Sequence, residues 1–147
     1  RQSARAIIPT IISQFLNNKN PIEIGNLSPT RDLTFVTDTC KGFFEIFNSD
    51  LLFGQATNVG MNSEISIGDL VKLISEVMCK NIEIKSSEKR IRPESSEVER
   101  LMCDNSKLLE TTSWKPEFNL SKGIQEVINW MQNPENLSIY KSDEYNV

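Results

Sequence analysis

The sequence predicts an α/β fold from three observations. Short runs in which apolar and polar residues alternate, such as Ile22–Ile24, are typical of strands. Between these runs, apolar residues recur at helical spacing, most clearly after Ser66. The 147 residues have the length of one ordinary domain, but the predicted strands are few and short. We therefore expect a sheet that is incomplete within this chain, with some strands pairing to strands outside it.

The predicted elements alternate along the chain, as they do in α/β proteins. Apolar stripes predict helices at residues 8–17, 37–48, 66–78 and 104–114, and a last helix from Ser121 that Pro134 stops. Strands are predicted at residues 22–24, 33–36, 55–59, 82–84 and 100–103. Residues 133–147 are predicted to form a C-terminal tail, polar from Tyr140 onwards.

Several helix starts carry their own signals. Pro9 is tolerated in the first turn of the first helix, where a missing N–H costs no helical hydrogen bond. Asp38, or the threonine before it, is placed to cap the second helix, and Asp104 to cap the fourth. Ser66 with Asp69 resembles a capping box, with Asp in place of Glu. We interpret Asp38 as a helix cap rather than a catalytic acid.

Composition excludes several classes of function. The net charge of −4 argues against a nucleic-acid-binding protein, which usually carries a basic face. The absence of histidine and of any CxxC pair argues against zinc and against histidine-dependent catalysis. No apolar run approaches the roughly 20 residues that span a membrane. Cys40 and Cys79 lie in apolar helical patterns, so we expect reduced thiols in the core of a cytoplasmic protein.

The sequence also lacks the groups that bind and use a nicotinamide cofactor. Its six glycines form no GxGxxG or GxxGxxG pattern, the turn through which a backbone approaches a pyrophosphate. Neither of the two tyrosines, Tyr140 and Tyr145, has a lysine four residues later. No spacing of acidic residues singles out an acid and a base. We therefore assign no catalytic, cofactor-binding or metal-binding residue to this chain.

Three short polar clusters are the strongest candidates for a binding site. The clusters are residues 31–38, residues 57–60 and residues 92–94. A guanidinium presents a planar fork of donors that matches a phosphate in two hydrogen bonds, so Arg31, Asn58 and Arg92 together suit a diphosphate. A plainer interpretation remains for each cluster. Arg31 and Asp32 would form a surface ion pair, Asn58 would be a turn residue, and Arg92 would lie in an exposed loop.

The order of these clusters resembles a known family. The series is Arg1-Gln2, Ile8-Pro9, Arg31-Asp32 with Val36-x-Asp38, Asn58-Val59-Gly60, Arg92-Pro93, Asp104-x-Ser106-Lys107, Trp114-x-Pro116 and Gly123 to Trp130. It resembles the C-terminal half of the extended short-chain dehydrogenase/reductases, the NAD-dependent nucleotide-sugar epimerases and dehydratases. Residues 1–6, 28–33 and 92–101 look most like the GDP- or UDP-N-acetylglucosamine 4,6-dehydratases of legionaminic-acid synthesis.

The resemblance implies a division of labour between two portions of an enzyme. Residues 1–147 would supply late strands of a Rossmann-like sheet and a small α/β part that binds a nucleotide-diphosphate sugar. The N-terminal portion, which binds NAD and carries a Tyr-x-x-x-Lys pair in the family, would be absent. The resemblance further implies a cytoplasmic lyase that is a homodimer at full length. This chain alone would be inactive.

The resemblance also implies which residues contact the substrate. Arg31 and Arg92 would clamp the diphosphate, and Asn58 would donate a hydrogen bond to it or to the ribose. Arg5 would be an additional contact. The base and ribose site would be lined through backbone and apolar contacts by Ala6, Ile7, Ile22 and Ile24.

Two alternative functions and two details of the site stay open at the level of sequence. A nucleotide-sugar 4-epimerase shares the same clamp, and a non-catalytic nucleotide-sugar-binding protein would use it without chemistry. The nucleotide, GDP or UDP, is not distinguished. The stretch after Arg92 is slightly longer than in the commonest relatives, so Ser96, Glu97 and Glu99 are all candidates to face the ligand.

Overall fold

Helices alternate with two small sheets in the part of the chain that the structure describes. This computed structural model describes residues 6–91 and 94–140, except for the side chains of Lys89 and Glu94. Its strands are β1 (Ile22–Ile24), β2 (Thr30–Arg31), β3 (Ile65–Ser66), β4 (Ile84–Ser86) and β5 (Arg100–Leu101). Its α-helices are α1 (Ile7–Leu16), α2 (Val36–Phe47), α3 (Ile67–Val77), α4 (Ser106–Thr111), α5 (Leu120–Met131) and α6 (Pro134–Leu137). The prediction of an α/β architecture is confirmed.

The two sheets are small and separate. In the first, β1 pairs in parallel with β4, and Ile22 lies opposite Ile84. In the second, β2 lies between β3, which is antiparallel to it, and β5, which is parallel to it. Arg31 of β2 therefore has Ile65 on one side and Leu101 on the other. This register brings together segments that are distant in sequence.

Helices α3 and α5 begin where a side chain accepts a hydrogen bond from a free N–H group of the first turn. The hydroxyl of Ser66 accepts a hydrogen bond from the N–H of Asp69 at 3.0 Å, which confirms the predicted cap of α3. The side chain of Asn119 caps α5 by accepting from the N–H of Lys122 at 2.9 Å. The last predicted helix therefore starts one residue earlier than Ser121. None of the helices among the described residues is long and apolar enough to cross a membrane.

Most of the buried apolar surface lies in one core. Helices α1, α3 and α5 pack around β1, and their buried side chains include Phe15, Ile22 and Leu70, each 0 % exposed. This arrangement follows from the apolar stripes of the three helices, which have nowhere else to be buried. A second, smaller cluster is formed by Leu52, Leu108 and Trp114, which are also buried.

Two of the predicted strands are not strands in the structure. Residues 33–35 form no ladder, and Val36 already begins α2. Residues 55–59 are irregular and pair with no strand among the described residues. A β-pattern becomes a strand only when a neighbouring backbone accepts its hydrogen bonds. The strand that precedes residues 33–35 in the sequence is β2, and it already ends at Arg31.

Other expectations fail because sequence patterns do not report which face is covered. Cys40 and Cys79 are exposed rather than buried in the core. Asp38 does not cap α2, whose N-cap position is Phe35 and has no side-chain hydrogen bond. Residues 134–137 form α6, and Tyr140 is only 5 % exposed, so the chain remains packed on the core beyond the predicted start of the tail.

Candidate functional site

Arg31 lies at the end of β2 with its guanidinium held by three acceptors. Nη1 donates to the carbonyl oxygens of Thr30 at 2.7 Å and Val98 at 2.6 Å, and Nη2 donates to Oε1 of Glu97 at 2.9 Å. The Arg31 and Glu97 side chains are 21 % and 13 % exposed. A guanidinium has five N–H donors. The Nε–H and one Nη2 hydrogen of Arg31 therefore have no partner among the described residues.

The Asp32 side chain forms hydrogen bonds to other segments than the Arg31 side chain does. Its carboxylate accepts hydrogen bonds from the N–H groups of Met61 at 2.9 Å, Cys103 at 3.2 Å and Ser63 at 3.4 Å. Consecutive residues of extended chain direct their side chains to opposite sides, which separates Asp32 from the Arg31 guanidinium. The interpretation as a simple Arg31–Asp32 surface pair is therefore wrong. Asp32 instead ties together the loops that follow residue 60 and precede Asp104.

The cluster around Asn58 lies against the same loops. The exposed Asn58 donates from Nδ2 to the carbonyl oxygen of Asp104 at 3.3 Å. The buried Asn105 donates from Nδ2 to the carbonyl oxygen of Gly60 at 2.7 Å. Asp32, Asn58 and Asp104 are thus neighbours through shared contacts. No hydrogen bond within the described residues joins Asn58 to Arg31.

Asp38, the second acid of the Arg31-to-Asp38 motif, is a buried structural anchor. It is 0 % exposed, and its two carboxylate oxygens accept from the N–H groups of Glu117 at 3.1 Å and Phe118 at 3.0 Å. Its carbonyl oxygen accepts from the indole N–H of Trp114 at 2.9 Å. Both carboxylate oxygens of this buried side chain are therefore paired with backbone donors. Asp38 therefore fixes the turn between α4 and α5.

The other predicted contacts occupy different positions. Ala6 is half-buried at the N-cap position of α1, and Ile7 is half-buried at its first residue. Ile22 and Ile24, expected to line the base and ribose site, instead direct their side chains into the main core at 0 % and 1 % exposure. Arg5 and Arg92 lie outside the described residues.

The structure adds a polar network that sequence reasoning did not single out. Glu64, directly before β3, accepts hydrogen bonds from Arg100 Nε at 2.9 Å and Thr30 Oγ1 at 2.6 Å, so it connects this edge of the sheet with β2 and, across β2, with β5. The hydrogen bond from Arg100 holds the pKa of Glu64 below its usual range, and the one from Thr30 adds to this. The slight extension of the Arg92 stretch was the only sequence signal pointing to Glu97. No signal pointed to Glu64.

A separate apolar cavity of about 400 Å³ lies between α1, α5 and residues 33–36. Its walls include Pro9, Trp130 and Tyr140, and the rings of Phe35 and Phe118 stack there at a centroid distance of 4.2 Å. Arg31 and Asn58, the predicted diphosphate contacts that the structure describes, do not line it. Within the described residues, no group of acidic or cysteine side chains is arranged to hold a metal ion.

The alternating helices and the two small sheets, each with a parallel strand pair, define the chain as part of an α/β protein. The family model described as GDP-mannose 4,6 dehydratase matches residues 1–127, and the chain belongs to this family of NAD-dependent epimerases and dehydratases. A Methanocaldococcus jannaschii protein named for UDP-glucose 4-epimerase is 32 % identical over 127 residues, covering 86 % of this chain and 39 % of that protein.

Solved structures share the fold of this chain. A UDP-N-acetylglucosamine 4-epimerase from Methanobrevibacter ruminantium M1, in complex with UDP-N-acetylmuramic acid, is 27 % identical with a TM-score of 0.74, over 86 % of this chain and 39 % of that one. A UDP-glucuronic acid 4-epimerase from Bacillus cereus, in complex with NAD, has a TM-score of 0.74 at 22 % identity, over 92 % of this chain and 40 % of that one. The chain thus spans about two fifths of the length of these relatives.

Proposed function

We propose that this chain is the substrate-binding portion of an NAD-dependent nucleotide-sugar 4,6-dehydratase acting on a GDP- or UDP-linked N-acetylglucosamine. The family membership supports the general activity. The motif stretches at residues 28–33 and 92–101 support the particular sugar. The enzyme would be a cytoplasmic lyase and, at full length, a homodimer. Its diphosphate would lie against Arg31, Arg92 and Asn58, with Arg5 as a further contact.

The arrangement of Arg31 is the observation that carries the binding proposal. Its guanidinium is held in place by two carbonyl oxygens and Glu97, so the two remaining donors have a fixed direction. A donor group that is already ordered loses less side-chain entropy when it binds a phosphate. Asp32 supports the same site by fixing the loops on which Asn58 lies.

The chain's own residues do not fit NAD. The family cofactor needs a glycine-rich turn that approaches its pyrophosphate, and the six glycines of this sequence form none. In the proposed enzyme the separate NAD-binding portion would supply hydride chemistry at the sugar, while this chain would bind and orient the nucleotide. We therefore propose that the 147 residues alone are inactive.

A nucleotide-sugar 4-epimerase is the second candidate. The Methanocaldococcus and Methanobrevibacter relatives are both named for 4-epimerase activity, and both cover most of this chain. The two reactions use the same diphosphate contacts, so the choice between them rests on the sugar product formed by an enzyme with both portions. Product analysis by NMR, with UDP- and GDP-N-acetylglucosamine as substrates, separates a 4-keto-6-deoxy sugar from a C4 epimer.

Binding is tested by calorimetric titration of the purified chain with UDP, GDP and uridine. We expect the two nucleotides to bind and uridine, which lacks phosphate, to bind much more weakly. Arg31→Ala should weaken nucleotide binding by about 10- to 100-fold, since a hydrogen bond to a charged group contributes roughly 1.5–3 kcal/mol. Arg92→Ala should also weaken it. Equal affinities for UDP and uridine would contradict the proposed clamp.

Arg100→Ala is the matched control for that titration. Arg100 lies on the neighbouring strand β5, carries the same charge and bonds to Glu64 rather than to the loop of Glu97. It should leave nucleotide affinity nearly unchanged. Equal losses for the Arg31 and Arg100 variants would indicate general electrostatic attraction and not a specific contact.

A further inference from the structure

The apolar cavity between α1, α5 and residues 33–36 has the size of a site for a small molecule. Its volume of about 400 Å³ lies within the roughly 300–1,000 Å³ that is typical of ligand pockets. Ile8, Ile124 and Met131, which line it, are buried side chains of the main core. Arg31 and Asn58 do not line it, so the proposed binding of a nucleotide leaves this cavity unexplained.

Two pairs of aromatic rings contribute to the walls of the cavity. The rings of Phe35 and Phe118 are stacked with 28° between their planes, and Trp130 meets Tyr140 edge-on at a centroid distance of 6.3 Å. Trp130 is 40 % exposed and Tyr140 is 5 % exposed, so the second pair extends from the surface into the protein. Aromatic rings attract one another in offset-stacked and edge-to-face arrangements. The walls therefore suit a ligand that is itself a flat ring.

A glycine on α5 keeps one wall of the cavity close to the backbone. Gly123 lies inside the helix, where glycine is less favourable than alanine. A Cβ at this position would lie 3.2 Å from Cδ2 of Phe35. A larger residue would therefore displace the Phe35 ring or occupy part of the cavity.

The charges around the cavity select against an anion. Glu126 is the one charged residue among the described residues that line it. Lys122 is not part of the lining, and its ammonium group lies over the Phe118 ring, 5.0 Å from the ring centroid. An anion that enters an apolar site without a positive partner loses its hydration and gains nothing in return. Charge complementarity thus favours a ligand that is neutral or positively charged.

We propose that this cavity binds a small aromatic molecule without negative charge, at a site separate from Arg31. The size of the cavity, its aromatic walls and the charge of its lining together carry the inference. The proposal goes beyond the proposed nucleotide binding, because a diphosphate is excluded from this cavity by its charge. It is also independent of which sugar reaction is catalysed.

The two tryptophans of the chain are a matched pair of reporters for this cavity. Trp130 lines it, whereas Trp114 is buried in the smaller cluster and donates its indole N–H to the carbonyl oxygen of Asp38. The experiment follows both indole N–H signals by ¹H–¹⁵N NMR while the ¹⁵N-labelled chain is titrated with 2-naphthol or 2-naphthoate. The two probes share one ring system, and only the second is negatively charged at neutral pH. Trp130→Phe assigns the two signals.

We expect 2-naphthol to shift the Trp130 signal to saturation and to leave the Trp114 signal in place. 2-Naphthoate should bind at least about tenfold more weakly, and UDP should leave the affinity for 2-naphthol unchanged. A folded chain without a saturable Trp130 shift would overturn the proposal, as would equal shifts of both signals. Equal or tighter binding of 2-naphthoate would contradict the charge argument. Competition by UDP would show that the site is not separate from the nucleotide site.

A cavity-filling substitution tests the location of the site. Val127→Phe adds a ring at a half-buried position of α5 that lines the cavity, and it should weaken 2-naphthol binding at least about tenfold. Gln125→Phe adds the same ring at an exposed position of α5 outside the lining and should leave binding unchanged. Equal affinities of these two variants for 2-naphthol would overturn the proposal.

A charge substitution keeps the proposal testable if Val127→Phe does not fold. Glu126 is exposed, so Glu126→Lys should preserve the circular dichroism spectrum of the chain. The new positive charge at the lining should bring the affinity for 2-naphthoate at least about fivefold closer to that for 2-naphthol. An unchanged ratio of the two affinities would show that the probes bind elsewhere, and the proposal would then be wrong.

Discussion

The region around α1, α3 and α5 differs sharply from the region around α2. In the first, three amphipathic helices direct their apolar stripes to one core, where Phe15 and Ile74 are 0 % exposed. In the second, a small cluster around Trp114 covers only one side of α2, and the phenylalanines of the other side face outwards. The first region is complete within the chain. The second leaves large apolar side chains uncovered among the described residues.

The two regions differ in how much their apolar residues contribute to the stability of the isolated chain. Burial inside the chain stabilises the fold directly, at about 25 cal/mol per Å² of apolar surface removed from water. Exposed apolar residues contribute that energy only when something else covers them. Substitutions in the two regions should therefore have different effects on the stability of the isolated chain.

The largest effect is expected from the same substitution at two phenylalanines. Phe15→Ala removes a ring that is 0 % exposed in the main core and should lower the free energy of unfolding by roughly 3–5 kcal/mol. Phe43→Ala removes a ring that is 64 % exposed and should change it by less than about 0.5 kcal/mol. Urea denaturation measures both. A large loss of stability for Phe43→Ala would mean that the exposed phenylalanines of α2 stabilise the isolated chain as the core phenylalanine does.

Asp38 tests whether the second region is held by polar contacts. Asp38→Ala removes the acceptor of the Glu117 and Phe118 N–H groups and should cost about 2–3 kcal/mol, because unpaired buried donors remain. Asp50→Ala, at an exposed position in the same region, is the matched control and should have almost no effect. Urea denaturation of both variants gives the difference. Equal effects of the two substitutions would show that the Asp38 carboxylate does not stabilise the turn between α4 and α5.

A substitution of Glu97 tests whether its negative charge competes with a phosphate for the Arg31 guanidinium. Glu97→Gln keeps an oxygen that can accept from Arg31 but removes the negative charge that competes with a phosphate. Nucleotide affinity should rise about fivefold, equivalent to about 1 kcal/mol. Glu99→Gln removes the same charge from an exposed position in the same segment and should have a smaller effect. Calorimetric titration distinguishes them, and weaker binding by Glu97→Gln would show that its charge supports the site.

The smallest effect is expected from acid titration of Glu64. Its hydrogen bonds with Arg100 and Thr30 keep its folded-state pKa below the ordinary value of 4.5. The stability that it contributes is therefore present above pH 4.5 and is lost as the pH falls through the lower folded-state pKa. Urea denaturation at pH 6 and pH 3 should show a slightly smaller loss for Glu64→Gln than for the original chain. An identical loss would mean that the hydrogen bonds of Glu64 contribute nothing to the pH dependence of stability.

Local features of the sequence determined most of the helices and the identity of the family. The α3 cap at Ser66 and the apolar stripes of α1 and α5 depend on residues within a few positions of one another, so they were predicted correctly. The serial order of the Arg31, Asn58 and Arg92 clusters likewise needs no structure to be recognised.

Tertiary structure alone decided the partners of individual polar groups and which apolar faces were covered. Glu97 lies 66 positions from Arg31 along the chain, and Phe118 lies 80 positions from Asp38, so no local pattern could connect them. Residues 55–59 have a strand pattern but no neighbouring strand within the described part of the chain. The physical reason is the same in each case. Hydrogen bonding and burial depend on what the fold brings next to a residue, and not on the residue itself.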